Sequence, residues 1–561
     1  MKFLFLFLLL FATALPAQVV PYPTIKELRV HNRGMVVSAH PLASEAGALV
    51  LRQGGNAFDA AIATQFALAV VYPQAGNLGG GGFMVGRTAS GENLALDFRE
   101  TAPGKAHADM YLDSNGRAQT DLSQYGHLAV GVPGTVAGIF ALHPRAQLSM
   151  DQLIQPAIKL AKNGFAITAR EAALLNSHQK EFAALNTSSN AFVRPTAWVE
   201  GDILVQKDLA NTLERIARNG KEEFYTGTTA KLITKEMQRG GGILSLQDLA
   251  LYRPLWRNVQ QFHYRGHQVL TMPLPSSGGI LLHQMLSYIS KEDFNGMQFH
   301  SPRVVHTLVE AERRAFADRA EYMGDPAFIK DPSALLTSEQ YLTQRWKSFD
   351  SAVATPSAAV GKVVQPLEES TETTHISIYD ALGNAVSLTT TLNGLYGSKV
   401  VVDGAGFFLN NEMDDFSIKP GVPNMFGAVG GKANAVAPGK RMLSSMSPTI
   451  VVKNNKPVVI VGTPGGTTIP TSVFQTLVAL LDFKIDPGRA LHLPRFHHQW
   501  LPDSILYEEG LSLELLQDLK SKQHALKSTS QIGRVELIVI GPTGEVHGVA
   551  DPRGDDSIAY Q

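Results

Sequence analysis

The sequence contains no cysteine among its 561 residues. This absence excludes disulfide bonds, zinc–thiolate sites, iron–sulfur clusters and thiol nucleophiles. If the chain is an enzyme, its nucleophile must therefore be an oxygen, a nitrogen or the water of a bound metal ion.

An excess of charge of either sign is also missing, because 49 Lys and Arg residues stand against 50 Asp and Glu residues, which leaves a net charge of −1. So even a balance gives no general attraction to nucleic acid or to an anionic membrane surface, and we expect neither as a partner. Apolar residues make up 44% and charged residues 18% of the chain, which excludes a disordered or wholly membrane-embedded protein. The length corresponds to about 3.7 domain-sized units of roughly 150 residues.

Apolar runs of membrane-spanning length are absent, and the first apolar run predicts a secretory signal peptide over residues 1–17. Lys2 precedes the apolar residues 3–11, and the small residues Ala12, Ala14 and Ala17 follow. This run is shorter than the about 20 residues that a spanning helix needs. We predict cleavage after Ala14 or Ala17 and no membrane span in the mature protein. An exported chain without disulfides is typical of a bacterial periplasmic or secreted protein.

The first third of the chain combines a helical pattern with a run of glycines. Residues 43–71 predict two helices, the second starting at Asn56, which can cap it, with Asp59 three positions further on. The four glycines at 79–82 form either a flexible turn or a backbone segment packed closely against a ligand or another strand. No G-x-x-x-x-G-K-[ST] pattern supports binding of nucleotide phosphates there.

The pattern of the chain changes at Thr373. Residues 151–325 are mainly helical in pattern, interrupted at 273–279 by PLPSSGG, which predicts a functional loop or a helix start. Residues 350–372 are polar and aperiodic, as an exposed connector would be. From Thr373 to about Gly466 the pattern predicts short strands and turns.

A β-hairpin is predicted directly after this change. Residues 375–379 and 385–389 alternate polar and apolar side chains on either side of a turn-rich loop at 380–384. In a symmetric hairpin Thr373 faces Thr391, and a slip of one residue would destroy this pairing. Two further hydroxyl residues share that face and four apolar residues cover the opposite, core-facing side: Ser377 and Ser387, and Ile376, Ile378, Val386 and Leu388.

Seven segments of the sequence resemble motifs of the γ-glutamyltransferases. Three resemble small-subunit motifs: TTH at 373–375, TLN at 391–393 and NNEMDDFS at 410–417. Four more agree: GNLGGGGF at 76–83, DFRE at 97–100, LSSMSPT at 443–449 and PGG at 464–466. The segments occur in the family's order and span nearly the whole mature chain, so the resemblance is highly specific.

The resemblance implies a fold and a maturation step. The γ-glutamyltransferases are N-terminal nucleophile hydrolases, with an α+β fold in which a large and a small subunit jointly build an αββα four-layer sandwich. An inactive precursor would cut itself between Glu372 and Thr373. The products would be a large subunit of residues 18–372, ending in the polar connector, and a small catalytic subunit of residues 373–561. The two subunits would form a heterodimer, and neither a cofactor nor a metal is implied.

A threonine at a new N-terminus can act as a nucleophile without a His–Asp pair. Its hydroxyl needs a base, and its own α-amine, with a reference pKa of about 7.7–8.0, can serve. By resemblance, Thr391 orients Thr373, and the backbone N–H groups of Gly465 and Gly466 stabilise the oxyanion. The context fits, because these glycines lie between an apolar strand at 458–461 and a helix predicted to begin near Pro470.

The resemblance also assigns the residues that bind a glutamyl group, which carries a carboxylate and an ammonium group. Arg99 corresponds to the arginine that binds the α-carboxylate, and Asp415 to the acid that binds the α-ammonium group. Two serines would assist the arginine and two neighbours the aspartate: Ser444 and Ser445, and Asn393 and Glu412.

A lid over the pocket is implied by residues 420–436, which contain two prolines and four glycines. Lids of this kind typically carry a tyrosine where this chain has Phe426. A phenylalanine excludes water but cannot make the hydrogen bond of a phenol, so we expect an altered closure or acceptor preference.

The sequence thus predicts a self-processing γ-glutamyltransferase and glutathione hydrolase. Thr373 would take the γ-glutamyl group from glutathione or other γ-glutamyl compounds and pass it to water, an amino acid or a peptide. The alternatives are a cephalosporin or glutaryl-type acylase and a non-catalytic homologue that binds γ-glutamyl peptides. His497 and His498 are interpreted as structural, because adjacent histidines diverge and no metal-ligand spacing accompanies them.

Overall fold

The computed structural model describes residues 22–361 and 373–561. The predicted signal peptide and Glu372, on the N-terminal side of the predicted cut, lie outside the described residues. Among the helices in these two ranges, none is both long and apolar enough to cross a lipid bilayer.

Nineteen strands form in the described part of the chain. In chain order they are β1 (Glu27–His31), β2 (Met35–Ser38), β3 (Gly81–Arg87), β4 (Asn93–Asp97), β5 (Phe165–Ala166), β6 (Ile203–Leu204), β7 (Leu255–Arg257), β8 (Gln260–Tyr264), β9 (His267–Thr271), β10 (Thr374–Tyr379), β11 (Ala385–Thr391), β12 (Thr449–Lys453), β13 (Lys456–Gly462), β14 (Phe496–His497), β15 (Ile505–Glu508), β16 (Leu526–Thr529), β17 (Glu536–Ile540), β18 (Glu545–Ala550) and β19 (Ser557–Tyr560).

The same ranges contain nineteen α-helices. They are α1 (Pro41–Arg52), α2 (Ala57–Val71), α3 (Thr120–Gln124), α4 (Thr135–Leu142), α5 (Met150–Asn163), α6 (Ala169–Ser177), α7 (Gln179–Leu185), α8 (Lys207–Asn219), α9 (Lys221–Tyr225), α10 (Thr228–Gly240), α11 (Leu246–Leu251), α12 (Gly278–Ile289), α13 (Pro302–Tyr322), α14 (Ser333–Leu336), α15 (Glu339–Trp346), α16 (Ser357–Val360), α17 (Thr468–Leu481), α18 (Pro487–His492) and α19 (Leu513–Ser521).

Two seven-stranded antiparallel sheets form the centre of the molecule. The first has the order β1-β18-β17-β13-β12-β9-β8 and the second the order β19-β2-β10-β11-β3-β4-β7. Smaller sheets are formed by β14-β15-β16 and by β5-β6. Both large sheets contain strands from before and from after residue 372, so the two predicted subunits share each sheet.

Three apolar layers show how the sheets and helices stack. One layer lies between the two sheets and includes Ile460 from the first sheet and Val37 and Phe83 from the second. Another packs the outer side of the second sheet against α1, α2 and α5, and a third packs the outer side of the first sheet against α12, α13 and α17. The predicted αββα four-layer sandwich is therefore confirmed.

The two helices predicted over residues 43–71 are present as α1 and α2. The Asn56 side chain accepts hydrogen bonds from the backbone N–H groups of Phe58 (2.8 Å) and Asp59 (3.1 Å), and the Asp59 carboxylate accepts one from the Asn56 N–H group (2.8 Å). This reciprocal pair satisfies N–H groups that a helix start otherwise leaves open. Every residue of α2 is buried, which explains its apolar composition.

The four-glycine run lies against neighbouring backbone, as one of its two interpretations predicted. A Cβ atom on Gly80 would lie 2.0 Å from the Thr391 carbonyl oxygen, and one on Gly82 would lie 2.3 Å from that of Thr389. The run leads into β3, which pairs with β11. Glycine is required here by close approach of two backbones, and not by an unusual φ angle.

The predicted hairpin has the predicted register. Strands β10 and β11 pair from Thr374 opposite Thr390 to Tyr379 opposite Ala385. The apolar side packs on the helix layer, as expected. The hydroxyl side is buried as well, between the two sheets, where Ser377 donates to the Glu536 carbonyl oxygen of the first sheet (2.9 Å).

Two expectations about the coarse organisation were wrong in part. The helical region at 151–325 is interrupted by β7, β8 and β9, because β8 and β9 form a hairpin that extends the first sheet. The predicted run of strands up to Gly466 is broken at residues 392–448, which contain turns and 3₁₀ helices but no strand. That segment forms walls of the cavity described next.

Candidate active site

The two predicted catalytic threonines lie at adjacent ends of the hairpin strands. Thr373 directly precedes β10, and Thr391 is the last residue of β11. Extending the observed register by one pair places them opposite each other. Both are buried, at 4% and 2% exposure. The Thr391 hydroxyl oxygen accepts a hydrogen bond from the Asn393 N–H group (2.8 Å), which fixes the Thr391 rotamer.

A narrow cavity opens at this end of the hairpin and collects nearly all the predicted site residues. Ten of them line it: Arg99, Thr373, Thr391, Asn393, Glu412, Asp415, Phe426, Ser444, Ser445 and Gly466. Gly465 is the neighbour of the last of these and does not line the cavity. The lining also includes residues that the sequence did not single out, among them Arg319 and Asn424.

The two glycines form a turn between a strand and a helix, close to where the sequence placed it. β13 ends at Gly462 and α17 begins at Thr468, two residues before Pro470. The φ angles of Gly465 and Gly466 are +139° and +55°, a region that favours glycine. In the described part of the chain, neither amide N–H group donates a hydrogen bond to a backbone carbonyl. The Gly466 amide, at the cavity wall, is therefore available as an oxyanion donor, and the Gly465 amide lies one residue behind it.

Arg99 follows β4 and is completely enclosed by hydrogen-bond acceptors. Its guanidinium group donates to the carboxylates of Glu412 and Asp415, which lie on a 3₁₀ turn. It also donates to the carbonyl oxygens of Met442 (3.3 Å) and Leu443 (3.2 Å). The residues predicted to bind the substrate's carboxylate and ammonium groups are thus paired with each other in this structure.

The charges around Arg99 alter one another's protonation. Burial raises the pKa of Glu412, Asp415 and Glu100, and the positive charge of Arg99 opposes each increase. Burial acts to lower the pKa of Arg99, but the three carboxylates together raise it above its ordinary value. A fixed cation surrounded by several acids can accept a zwitterionic group by exchanging partners.

The segment PLPSSGG lies behind the two predicted carboxylate-binding serines and leads into α12. The Ser444 N–H group donates to the Pro275 carbonyl oxygen (2.8 Å), and both the N–H and the hydroxyl group of Ser277 donate to the Ser444 carbonyl oxygen (2.8 and 2.7 Å). These bonds hold the backbone before Ser445 against the start of the helix. The segment is therefore a helix start that supports the cavity wall formed by Ser444 and Ser445.

The predicted lid lies folded over the cavity. The Phe426 ring is buried and so close to Gly466 that a Cβ atom there would lie 2.7 Å from Phe426 Cδ1. Asn424 Nδ2 donates to Asp415 Oδ1 (3.0 Å), and Asn424 Oδ1 accepts from the Phe426 N–H group (3.0 Å). Gln499 Nε2 donates to the Phe426 carbonyl oxygen (3.3 Å). The closed position is thus held by polar contacts from both sides.

Sequence reasoning missed Arg319, Asn424 and Gln499. Arg319 belongs to a charge-rich stretch of α13 in which every residue from 304 to 319 is buried. Asn424 lies within the lid segment that the sequence predicted, and Gln499 directly follows His497 and His498. A single polar residue has no periodicity or spacing that would mark it as functional in one sequence. Only the family resemblance could have identified these three residues.

The structure supports a structural role for the paired histidines. His497 Nδ1 contacts the Thr471 hydroxyl (2.8 Å) and its Nε2 contacts Gln499 Oε1 (3.0 Å). His498 Nδ1 instead accepts from the Trp500 N–H group (3.1 Å), so the two rings point to different partners. Burial lowers the pKa of both to about 4, which keeps them neutral.

Another group of side chains has the spacing of metal ligands: His306, Glu310 and His524. Glu310 is already paired with Arg313 and Arg314, and the two histidines hydrogen-bond each other (2.8 Å). Two guanidinium groups beside the carboxylate oppose a cation, so this cluster does not have the character of a metal site.

Comparison with known proteins agrees with this geometry. The family described as gamma-glutamyltranspeptidase matches residues 43–561. The glutathione hydrolase proenzyme of Escherichia coli (strain K12) is 44% identical over 558 residues, covering 98% of this chain and 95% of that protein.

Solved structures give the same picture. The cephalosporin acylase of Bacillus halodurans superposes with a TM-score of 0.83 at 28% identity, covering 97% of this chain and 98% of that one. The gamma-glutamyltranspeptidase of Helicobacter pylori superposes with a TM-score of 0.57 at 45% identity, covering 58% of this chain and 93% of that one. The chain therefore belongs to the gamma-glutamyltranspeptidase family.

Proposed function

We propose that this protein is a γ-glutamyltransferase with glutathione hydrolase activity that uses Thr373 as its nucleophile. One observation carries the proposal: a buried threonine at a strand end shares a cavity with a cation and two acids that match the charges of a glutamyl group. Donors are glutathione and other γ-glutamyl compounds. Acceptors are water, amino acids and peptides.

Maturation precedes catalysis. The Thr373 hydroxyl attacks the carbonyl carbon of Glu372, and the peptide bond becomes an ester as the Thr373 nitrogen takes up a proton. Water then hydrolyses the ester and frees the α-amine of Thr373. The resulting subunits, residues 18–372 and 373–561, stay together as a heterodimer because β10 and β11 lie between β2 and β3 in one sheet.

Catalysis begins when the free α-amine takes the proton of the Thr373 hydroxyl. The hydroxyl oxygen attacks the γ-amide carbon, and the N–H groups of Gly465 and Gly466 stabilise the negative oxygen that develops. The protonated amine then gives its proton to the leaving nitrogen. Thr391 orients the nucleophile. Water or an amine acceptor attacks the γ-glutamyl ester in the same way and releases Thr373.

Recognition uses the charges around Arg99. The donor's α-carboxylate takes up hydrogen bonds from Arg99 with help from Ser444 and Ser445. Its α-ammonium group takes the place of Arg99 beside Asp415, assisted by Glu412 and Asn393. Because a substrate exchanges partners with an existing ion-pair network, it does not have to neutralise isolated buried charges.

An acylase for glutaryl-type amides is the alternative function within the same fold. The similarity to a cephalosporin acylase supports this alternative. A glutaryl group has the carboxylate but lacks the ammonium group. Asp415 and Glu412 would then have no ligand charge to bind, which favours the glutamyl substrate. A non-catalytic peptide-binding homologue would have no need of cleavage at Thr373.

One experiment separates these functions. The purified full-length protein is run on a denaturing gel, its fragments are sequenced from their N-termini, and hydrolysis of γ-glutamyl- and glutaryl-p-nitroanilide is compared. We expect a small fragment beginning Thr373-Thr374-His375 and a clear preference for the γ-glutamyl donor. A preference for the glutaryl compound would establish the acylase, and an intact, inactive chain would indicate a binding protein.

The same sequencing tests the proposed location. We place the mature protein in the bacterial periplasm or outside the cell, on the basis of the signal-like residues 1–17. A large fragment that begins at Leu15 or Gln18 and is recovered from the periplasm or the medium is expected. A large fragment that still begins at Met1 would refute this location.

A further inference from the structure

One wall of the cavity carries a guanidinium group that the mechanism above leaves unused. Arg319 lies near the end of α13 and is 8% exposed. Its Nε donates to the Ser277 hydroxyl (3.1 Å), and its Nη2 donates to the Ser445 hydroxyl (3.2 Å). The Ser445 hydroxyl is one of the groups proposed above to assist in binding the donor's α-carboxylate.

The two arginines of the cavity differ in how their charges are balanced. Arg99 is paired with Glu412 and Asp415. Arg319 forms no ion pair with any carboxylate in residues 22–361 or 373–561, and Asp415 affects it only through its charge at longer range. Burial lowers the pKa of Arg319 to about 10, so the group is still protonated at neutral pH.

An unbalanced buried cation lowers the stability of the folded protein, because neither water nor a counter-ion compensates its lost hydration. Such a group is expected where an anionic ligand supplies the missing charge. The Ser445 hydroxyl links this cation to the proposed carboxylate subsite. Its oxygen accepts a hydrogen bond from Arg319, and its proton remains available for a carboxylate oxygen of the substrate.

We propose that Arg319 is a specificity-determining residue that, together with Ser445, provides a second cationic contact for the donor's α-carboxylate, in addition to Arg99. This inference rests on the proposed function and adds that the charge of Arg319 selects donors with an α-carboxylate. Arg99 must serve both ends of the glutamyl group, because it also holds the two acids. Arg319 has no such second task, so its charge discriminates donors that carry an α-carboxylate from those that lack one.

The test uses the processed full-length enzyme with Arg319→Gln, and compares γ-glutamyl-p-nitroanilide with its analogue lacking the α-carboxylate, 4-aminobutyryl-p-nitroanilide. Each compound is measured as a substrate and as a competitive inhibitor, so that slow turnover of the analogue still yields a binding constant. We expect kcat/KM for the γ-glutamyl donor to fall about 10- to 100-fold, mainly through KM, as for loss of a charge-assisted hydrogen bond. Binding of the analogue should change less than about threefold.

Two matched variants separate the charge from the hydrogen bonds. Arg319→Lys keeps the charge and should retain most of the preference for the carboxylate-bearing donor. Ser277→Ala removes the hydroxyl that accepts from Arg319 Nε and should leave the preference intact. Self-cleavage at Thr373 needs no donor, so two fragments on a denaturing gel show that each variant has folded.

Equal losses on both compounds, or no loss on either, would overturn the proposal. So would failure of both Arg319→Gln and Arg319→Lys to fold and self-cleave, since Arg319 would then be a structural residue. If Arg319→Gln alone fails, a loss of the preference in Arg319→Lys also overturns it. Failure of the proposed function is recognised separately, because the unmodified enzyme would then show neither cleavage nor γ-glutamyl hydrolysis.

Discussion

The two ends of the cavity are built in different ways. The reaction end combines one hairpin with one glycine turn, so hydrogen-bonded strands and backbone amides place Thr373, Thr391 and Gly466. The recognition end brings together charged side chains that are far apart in sequence, since Asp415 follows Arg99 at a separation of 316 positions. The reaction end depends on fixed backbone geometry, whereas the recognition end depends on charged side chains that pair with one another.

The largest effect is expected when the nucleophilic hydroxyl at the reaction end is removed. Thr373→Ala lacks the only hydroxyl that can attack Glu372 in the proposed maturation, so we expect an uncut precursor without activity, measured by denaturing gel and γ-glutamyl-p-nitroanilide hydrolysis. Thr373→Ser is the matched control, because it keeps the hydroxyl and should still be cut. A cleaved or active Thr373→Ala protein would contradict the mechanism.

Next in size is the loss of the cation that the acids share. Arg99→Met leaves Glu412 and Asp415 buried without their partner, so we expect the free energy of unfolding to fall by about 3–5 kcal/mol. Chemical denaturation of the precursor measures this fall. Arg319→Gln is the comparison: it loses two hydrogen bonds but also removes an unfavourable unbalanced cation, so any fall in the free energy of unfolding should be much smaller. Equal destabilisation by both substitutions would contradict the proposed difference in charge balance between the two arginines.

A smaller effect is expected at the residue that orients the nucleophile. Thr391→Ala should slow self-cleavage and donor hydrolysis together, each by about 10- to 100-fold, because both steps use the same hydroxyl of Thr373. Thr391 is buried and accepts a backbone hydrogen bond, so its loss should also lower stability by about 1–2 kcal/mol. Time courses of cleavage and of turnover test this, and slowing of one step without the other would refute the shared role.

The smallest expected effect concerns the lid. Phe426→Tyr restores the phenol that such lids typically carry, and we expect the ratio of transfer to hydrolysis to change about two- to fivefold, as one hydrogen bond can produce. Product analysis with an added dipeptide acceptor measures the ratio. Phe426→Leu serves as a control for loss of the ring. An unchanged ratio in the tyrosine variant would count against a direct role of the lid.

Local patterns in the sequence predicted the elements that position the reaction end. The capping pair Asn56 and Asp59 and the hairpin register appear in the structure as expected, and the glycine run follows the second of its two interpretations, close packing against another strand. Each depends on interactions between residues close in sequence, or on close contact that only glycine permits. The β8–β9 hairpin was missed because its short alternating strands lie within a region of helical pattern.

The roles of the charged residues could not be predicted in the same way. Resemblance identified Arg99, Asp415 and the two serines, but the pairing of Arg99 with the acids became visible only in the tertiary structure. Arg319 illustrates the limit, because an arginine on a charge-rich helix reads as a solvated surface residue, while α13 is in fact enclosed.

By itself the sequence determined the hairpin, the capped helix, the glycine turn and the family resemblance, because these follow from periodicity, steric restriction and short-range hydrogen bonds. The tertiary structure alone decided which charges are paired, what holds the lid over the cavity and, within the described residues, which of the two arginines of the cavity has no carboxylate partner. The physical reason is that the role of a charged side chain depends on the groups that contact it in the folded protein. Here those groups come from separate parts of the chain.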